Sequence, residues 1–219
     1  MKSRYVVIIT VLMLAIIPLA YLARIYSTLP ETIAVHYNIK GKADRFGHKS
    51  TAWGTSSALS GVSVLVCLAV LFISYVDPKQ AASVSPATFQ KIALVVALFM
   101  SILNCYLVYA LKLTQLPVTG VYIIICLFLT LLGNFMNNLK PNYFVGIRTP
   151  WTLESESNWR KTHHLAGKLW FAGGIIIALL LLMLPVKAAG VVFIGGVILL
   201  SLIPVVYSFV LFKNYKKSN

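Results

Sequence analysis

Three groups of residues in this chain have side chains able to do chemistry. His36, Asp44 and His48 lie in one hydrophilic stretch and could converge on a metal ion. Their spacing matches no recognised ligand pattern, and histidine has many structural uses, so neither a metal nor another cofactor is expected. Glu156, His163 and His164 are the components of an acid–base cluster. On a helix, however, His163 and His164 point about 100° apart and cannot aim at one ligand. The third group centres on Arg148, inside Pro141-Asn142-Tyr143-Phe144-Val145-Gly146-Ile147-Arg148-Thr149-Pro150-Trp151-Thr152. Its prolines, glycine and aromatics predict a fixed, non-helical conformation. A guanidinium held there can clamp a carboxylate, a phosphate or a partner's backbone, with lipid phosphates competing for it. The sequence has no His-Glu-x-x-His and no Gly-x-Ser-x-Gly run, so no enzyme is expected.

The elements that must position these residues are membrane spans. The chain is 59% hydrophobic and only 11% charged, too little polar surface to cover a soluble core. A bilayer-spanning helix needs about 20 mostly apolar residues. Six segments fit or nearly fit: Tyr5 to Ala23, Thr55 to Val76, Ile92 to Leu111, Val118 to Met136, Leu169 to Leu184 and Ala188 to Phe212, the short fifth being extended by Ala166, Gly167 and a snorkelling Lys168. None contains Lys, Arg, Asp, Glu or His. The fold class expected is therefore all-α, a polytopic membrane protein of six helices. The first segment is too long for a secretory h-region and is read as an uncleaved span. Pro18 and Pro204 fall inside spans, where each should free a carbonyl for a neighbouring helix to satisfy. Cys67, Cys105 and Cys126 all lie in apolar runs, as small buried side chains do.

The net charge of +14 raises nucleic acid as a partner. The basic residues sit at the ends of apolar segments rather than on one soluble face, so direct nucleic-acid binding is not expected, and the lipid bilayer is. Of the 19 Lys and Arg residues, Arg24, Lys40, Lys42, Arg45, Lys49, Lys112 and Lys187 fall on one side of a six-span topology. The other twelve share a side with both termini, which the positive-inside rule places in the cytoplasm.

Two loops have internal organisation. In the first, Leu29-Pro30, the alternating Ile33, Val35 and Tyr37, and Gly41 suggest a short extended element ending in a turn. The second, residues 137–168, continues from the rigid Arg148 segment into an amphipathic helix. Thr152 is placed to cap that helix, and Glu154 and Glu156 suit its positive end. Trp159, Thr162, His163, Ala166 and Trp170 form one stripe, opposite Arg160, Lys161, His164 and Lys168. That pattern describes a helix lying at headgroup level before it enters the bilayer.

The run from Asn142 to Leu153, followed by Trp159 and His163, resembles the hallmark of the SdpI-family immunity proteins. Leu29 to Tyr37, then Gly41, Asp44 and Lys49, is similar to the small membrane domain called DUF1648, with Ala34 where that pattern often has proline. The resemblance implies a DUF1648-like segment over 1–76, a linker and third span over 77–117, and an SdpI-like segment over 118–219. It implies a multi-pass protein of the cell membrane that protects its producer from a secreted peptide toxin, some members also signalling to a cytoplasmic repressor. Carried onto this chain, it marks Asn142, Tyr143, Phe144, Gly146, Arg148, Thr149, Pro150, Trp151, Trp159 and His163 as partner-binding. In the extracellular loop it marks Leu29, Pro30, His36, Gly41, Asp44 and Lys49. A transporter of a toxic peptide or small solute is the competing class, but the spans lack the ionisable residues and repeats that such proteins use.

Overall fold

The computed structural model describes residues 2–38, 41–76 and 86–218; Lys40 and Lys79, which enter the charge comparison, lie outside them. The long helices are α1 (Lys2–Ile25), α2 (Thr51–Val76), α3 (Pro86–Ala110), α4 (Val118–Met136), α6 (Glu156–Met183) and α7 (Val186–Ser218), with a short α5 (Pro150–Glu154) before α6. All six long helices are apolar enough to cross a membrane, one for each expected span. Their outer sides show why water is the wrong solvent. Tyr5, Ile9, Met13 and Ile16 on α1, and Val191, Ile198, Leu202 and Val206 on α7, are all exposed. Apolar surface on this scale is far beyond what a soluble monomer carries. The chain is a multi-pass membrane protein.

The first loop adds a small sheet to this helical scaffold. β1 (Thr32–Tyr37) pairs antiparallel with β2 (Ala43–His48), where the sequence alone suggests one extended element. Gly41 closes the turn with φ +74°, and a Cβ there would collide with the Leu116 carbonyl. The close approach is used, because Leu116 N–H donates to the Gly41 carbonyl at 2.8 Å.

Contacts divide the chain into two compact units, Met1–Ala69 with Ala93–Ile125, and Val70–Ile92 with Cys126–Asn219. In the first unit, Leu22, Ile25, Leu29, Ile33, Ala52 and Val108 form a buried cluster that seats the hairpin on the helices. The Tyr37 hydroxyl adds a bond to the Ala110 carbonyl at 3.1 Å. Asn104 is buried, yet its amide donates to the Ser56 carbonyl (3.0 Å) and Ser60 Oγ (3.2 Å), and its oxygen accepts from Ser56 Oγ (3.1 Å). Each interhelical bond of this kind contributes roughly 0.6 kcal/mol in a membrane. Ser60 in turn donates to the Ala15 carbonyl at 2.9 Å, in the turn that Pro18 disturbs.

In the second unit, α4 and α6 approach at backbone level. A Cβ on Gly133 would lie 2.6 Å from the Phe171 nitrogen, and one on Gly174 would lie 2.7 Å from the Cys126 carbonyl. Small residues let membrane helices pack this closely without a hydrophobic driving force between them. Pro204 behaves as expected. It has no N–H for the Leu200 carbonyl four residues back, and the Trp170 indole N–H takes that carbonyl at 2.9 Å.

Candidate functional site

The loop entering α5 is built around Asn142. Its Oδ1 accepts from the backbone N–H of Phe144 (2.9 Å) and Val145 (2.7 Å), while Nδ2 donates to the carbonyls of Lys140 (3.0 Å) and Val145 (2.9 Å). The side chain is fully buried and all its hydrogen-bonding capacity is used within the loop. Gly146 then turns the chain at φ +111°, a conformation that L side chains rarely adopt, against the ring of His163.

His163 receives the loop on α6. Its Nε2 accepts the Ile147 N–H at 3.0 Å, and its Nδ1 donates to the Trp159 carbonyl at 2.9 Å. One ring nitrogen accepting and the other donating is the pattern of a neutral imidazole. Trp159, also buried, stacks on that ring and donates its indole N–H to the Leu139 carbonyl at 2.7 Å. The stripe of Trp159, Thr162, His163 and Ala166 is therefore covered by protein rather than by headgroups, a correction to the interfacial-helix expectation. The stripe runs straight on into the fifth span because α6 is one helix, with no proline between Glu156 and Met183.

The caps also differ from expectation. Thr149, not Thr152, is the N-cap, with extended backbone and Pro150 in the first turn of α5. Thr152 is the third residue of that turn and completes a reciprocal capping box: Thr149 N–H donates to its Oγ1 at 2.9 Å. Its hydroxyl also donates to the Ile147 carbonyl at 2.9 Å. Ser155 starts afresh as the N-cap of α6, accepting from Asn158 N–H at 3.2 Å.

The base of the site rests on α7. The Trp151 indole N–H donates to Ser208 Oγ at 2.8 Å, and the ring stacks on Phe212. Asn158 Nδ2 donates to the Ser208 carbonyl at 2.9 Å and its oxygen accepts from the Thr162 hydroxyl at 3.0 Å. The polar framework thus runs from Leu139 to Ser208. Residues 138–208 match the SdpI/YfhL protein family, the same interval. This stretch is an SdpI-like segment, similar to that family.

Residues 13–57, which include the hairpin, match the domain of unknown function DUF1648. The chain is also similar to a protein named Immunity protein SdpI from Bacillus subtilis (strain 168), 28% identical over 178 residues that cover 78% of this chain and 80% of that one. No solved structure matches it.

Within the SdpI segment the residues marked from sequence fall into two sets. Asn142, Trp159 and His163 are buried in the framework, Gly146 and Thr149 are half-buried within it, and Trp151 is half-buried against α7. Tyr143, Phe144, Arg148 and Pro150 are exposed, and Arg148 is tied back by a bond from its guanidinium to the Tyr143 carbonyl at 2.5 Å. Arg160, Lys161 and His164 face outward, with His164 Nδ1 2.9 Å from Asn137 Oδ1. His163 and His164 diverge as the helical geometry requires. Sequence reasoning missed Ser208, Leu139 and Asn158 as partners of the SdpI loop; carbonyl acceptors carry no side-chain signal, and Ser208 lies 50 residues from Asn158.

In the first loop, Leu29 and Gly41 are buried and Pro30 is exposed. His36 Nδ1 pairs with Asp44 at 2.5 Å, but His48 turns to Glu31 (3.1 Å) and so leaves that pair. Lys49 bonds Glu31 at 2.8 Å and lies over the Tyr26 ring. The Lys49 bond holds the Glu31 carboxyl below its ordinary range. Among the described residues no group of three metal-ligating side chains forms.

Proposed function

We propose that this chain is a membrane immunity protein that protects the cell producing it from a secreted peptide toxin. The observation that carries this is the coincidence of the SdpI family match, residues 138–208, with one continuous hydrogen-bonded framework. The relative named Immunity protein SdpI supports the same reading. In this reading the buried half of the motif is scaffold, and it holds Tyr143, Phe144 and Arg148 out as the recognition surface. A rigid surface pays less entropy on binding than a loop that must first be ordered. Both termini and this loop lie in the cytoplasm, so a transcriptional repressor is the kind of partner the loop meets, while the toxin meets the hairpin side.

Expression in a toxin-sensitive cell tests the function directly, and survival should rise. No gain in survival against any cognate peptide would overturn it, and energised efflux of the peptide from vesicles would favour transport instead. The orientation is tested with Ser50→Cys and Ser157→Cys in a background free of the three native cysteines. Both serines are exposed. An impermeant thiol reagent should label the first and spare the second in intact cells.

A further inference from the structure

A cleft of about 150 Å³ opens beside β1, walled by Ile33, Ala34 and Val35 on one side and by Leu59, Leu107 and Leu111 on the other. Side chains alternate across a strand, so three successive residues can border one cleft only where it runs along the strand's edge. The pairing identifies that edge. Lys49 N–H donates to the Glu31 carbonyl at 2.8 Å, which makes that couple a hydrogen-bonded pair. Ile33↔Gly47 is the next bonded pair, and Thr32↔His48 and Ala34↔Phe46 are the non-bonded pairs around it. Thr32 and Ala34 therefore turn their backbone N–H and C=O away from β2, Thr32 at the surface and Ala34 buried at the cleft wall. β2 occupies one side of β1, and among the described residues no strand occupies the other.

The cleft floor and its rim specify what can lie there. Asn104 reaches the floor, but its amide is fully engaged by Ser56 and Ser60, so the floor offers apolar contact. At the rim, the hairpin's two carboxylates are already taken, Glu31 by Lys49 and His48, and Asp44 by His36. Arg45 and Lys112 are exposed and make no ion pair among the described residues. Arg45 sits opposite His36, beside Tyr37, and Lys112 follows Leu111 of the cleft wall. That end of the cleft is therefore electropositive.

We propose that the free edge of β1 captures an extended apolar peptide as a third strand, with alternate side chains in the cleft and a C-terminal carboxylate at Arg45 and Lys112. Strand addition supplies affinity through backbone bonds, and the cleft supplies selection for apolar residues. The carboxylate position makes the added strand parallel to β1. Only the identity of this peptide as a toxin rests on the immunity function proposed above.

The test uses the full chain in phosphatidylcholine nanodiscs and a fluorescent hexapeptide of alternating Thr and Val with a free C-terminus. Binding should be saturable. Ala34→Pro removes an edge N–H without touching a bond to β2, and should raise Kd roughly tenfold. N-methylation of alternate peptide residues, which needs no change in the protein, should weaken binding as much. Amidating the peptide's C-terminus should weaken binding of the unaltered chain, and Arg45→Gln should abolish the difference between acid and amide. Absence of saturable binding, or equal binding by the N-methylated peptide, would overturn the strand-addition geometry. A photo-cross-linking residue at Leu107 that captures phospholipid in place of peptide would reassign the cleft to an acyl chain. Survival assays separate the two proposals. A chain that protects cells fully with Ala34→Pro sinks the cleft as toxin site and leaves immunity standing; one that binds the hexapeptide but never protects does the reverse.

Discussion

Trp159 and His163 stack with ring centroids 4.0 Å apart and planes 18° from parallel, one turn apart on the same helix. Between them they hold both ends of the motif loop, Trp159 through the Leu139 carbonyl and His163 through the Ile147 N–H. The pair explains why a motif written over a loop needs two residues on the following helix.

Gly146→Ala should destabilise the protein by roughly 1–3 kcal/mol, because the φ of +111° is strained for any L side chain. The added Cβ also meets the His163 ring, which cannot withdraw without releasing Ile147 N–H. Thermal unfolding in detergent reads the loss. An unchanged Tm would show that the loop relaxes freely.

Arg148→Ala and Trp159→Ala should separate surface from scaffold. Arg148 is exposed, so its removal should cost less than about 1 kcal/mol of stability while lowering survival in the toxin assay. Trp159 is 1% exposed, and truncating a buried Trp costs on the order of 3–5 kcal/mol, so that variant should lose both. Parallel measurement of survival and Tm, with membrane insertion checked for each, distinguishes the two patterns.

Trp170→Phe should leave the Leu200 carbonyl without a partner and cost about 1 kcal/mol. Pro204→Ala restores a helical N–H to that carbonyl. The double variant should therefore lose less than the sum of the single changes, a coupling that a double-mutant cycle measures directly. Strict additivity would mean that the two residues act independently.

Acid should loosen the hairpin. The Lys49 hydrogen bond and charge lower the Glu31 pKa, with His48 adding to the effect. A carboxylate with a lowered pKa in the folded state contributes stability that is present above its ordinary value. That contribution is lost as pH falls through the lowered one. The protection factors of the β1 and β2 amides, exchange rates corrected for the intrinsic pH dependence, should fall over that window, and Glu31→Gln should remove the step.

Much of this was legible in the residues. Six apolar runs read out as helices because a bilayer imposes a minimum length and forbids unsatisfied backbone, though most of the helices run past the ends of those runs. Pro204 announced a freed carbonyl, though only the fold named Trp170 as the group that answers it. The Arg148 segment read as rigid from its prolines and glycine. β2 was not legible: Ala43-Asp44-Arg45-Phe46-Gly47-His48 has little strand propensity and pairs because the Gly41 turn delivers it to β1.

By itself the sequence determined the membrane class, the number of spans and the two loops that carry information, since hydropathy and turn chemistry are local properties. Only the tertiary structure decided which motif residues face a partner. Asn142, Trp159 and His163 look as available for binding as Tyr143, Phe144 and Arg148 when written in a line. Burial depends on how the loop packs on α6, through the Trp159 bond to the Leu139 carbonyl and the His163 bond to the Ile147 N–H, which no local pattern encodes; that packing makes the first three scaffold and leaves the last three on the surface.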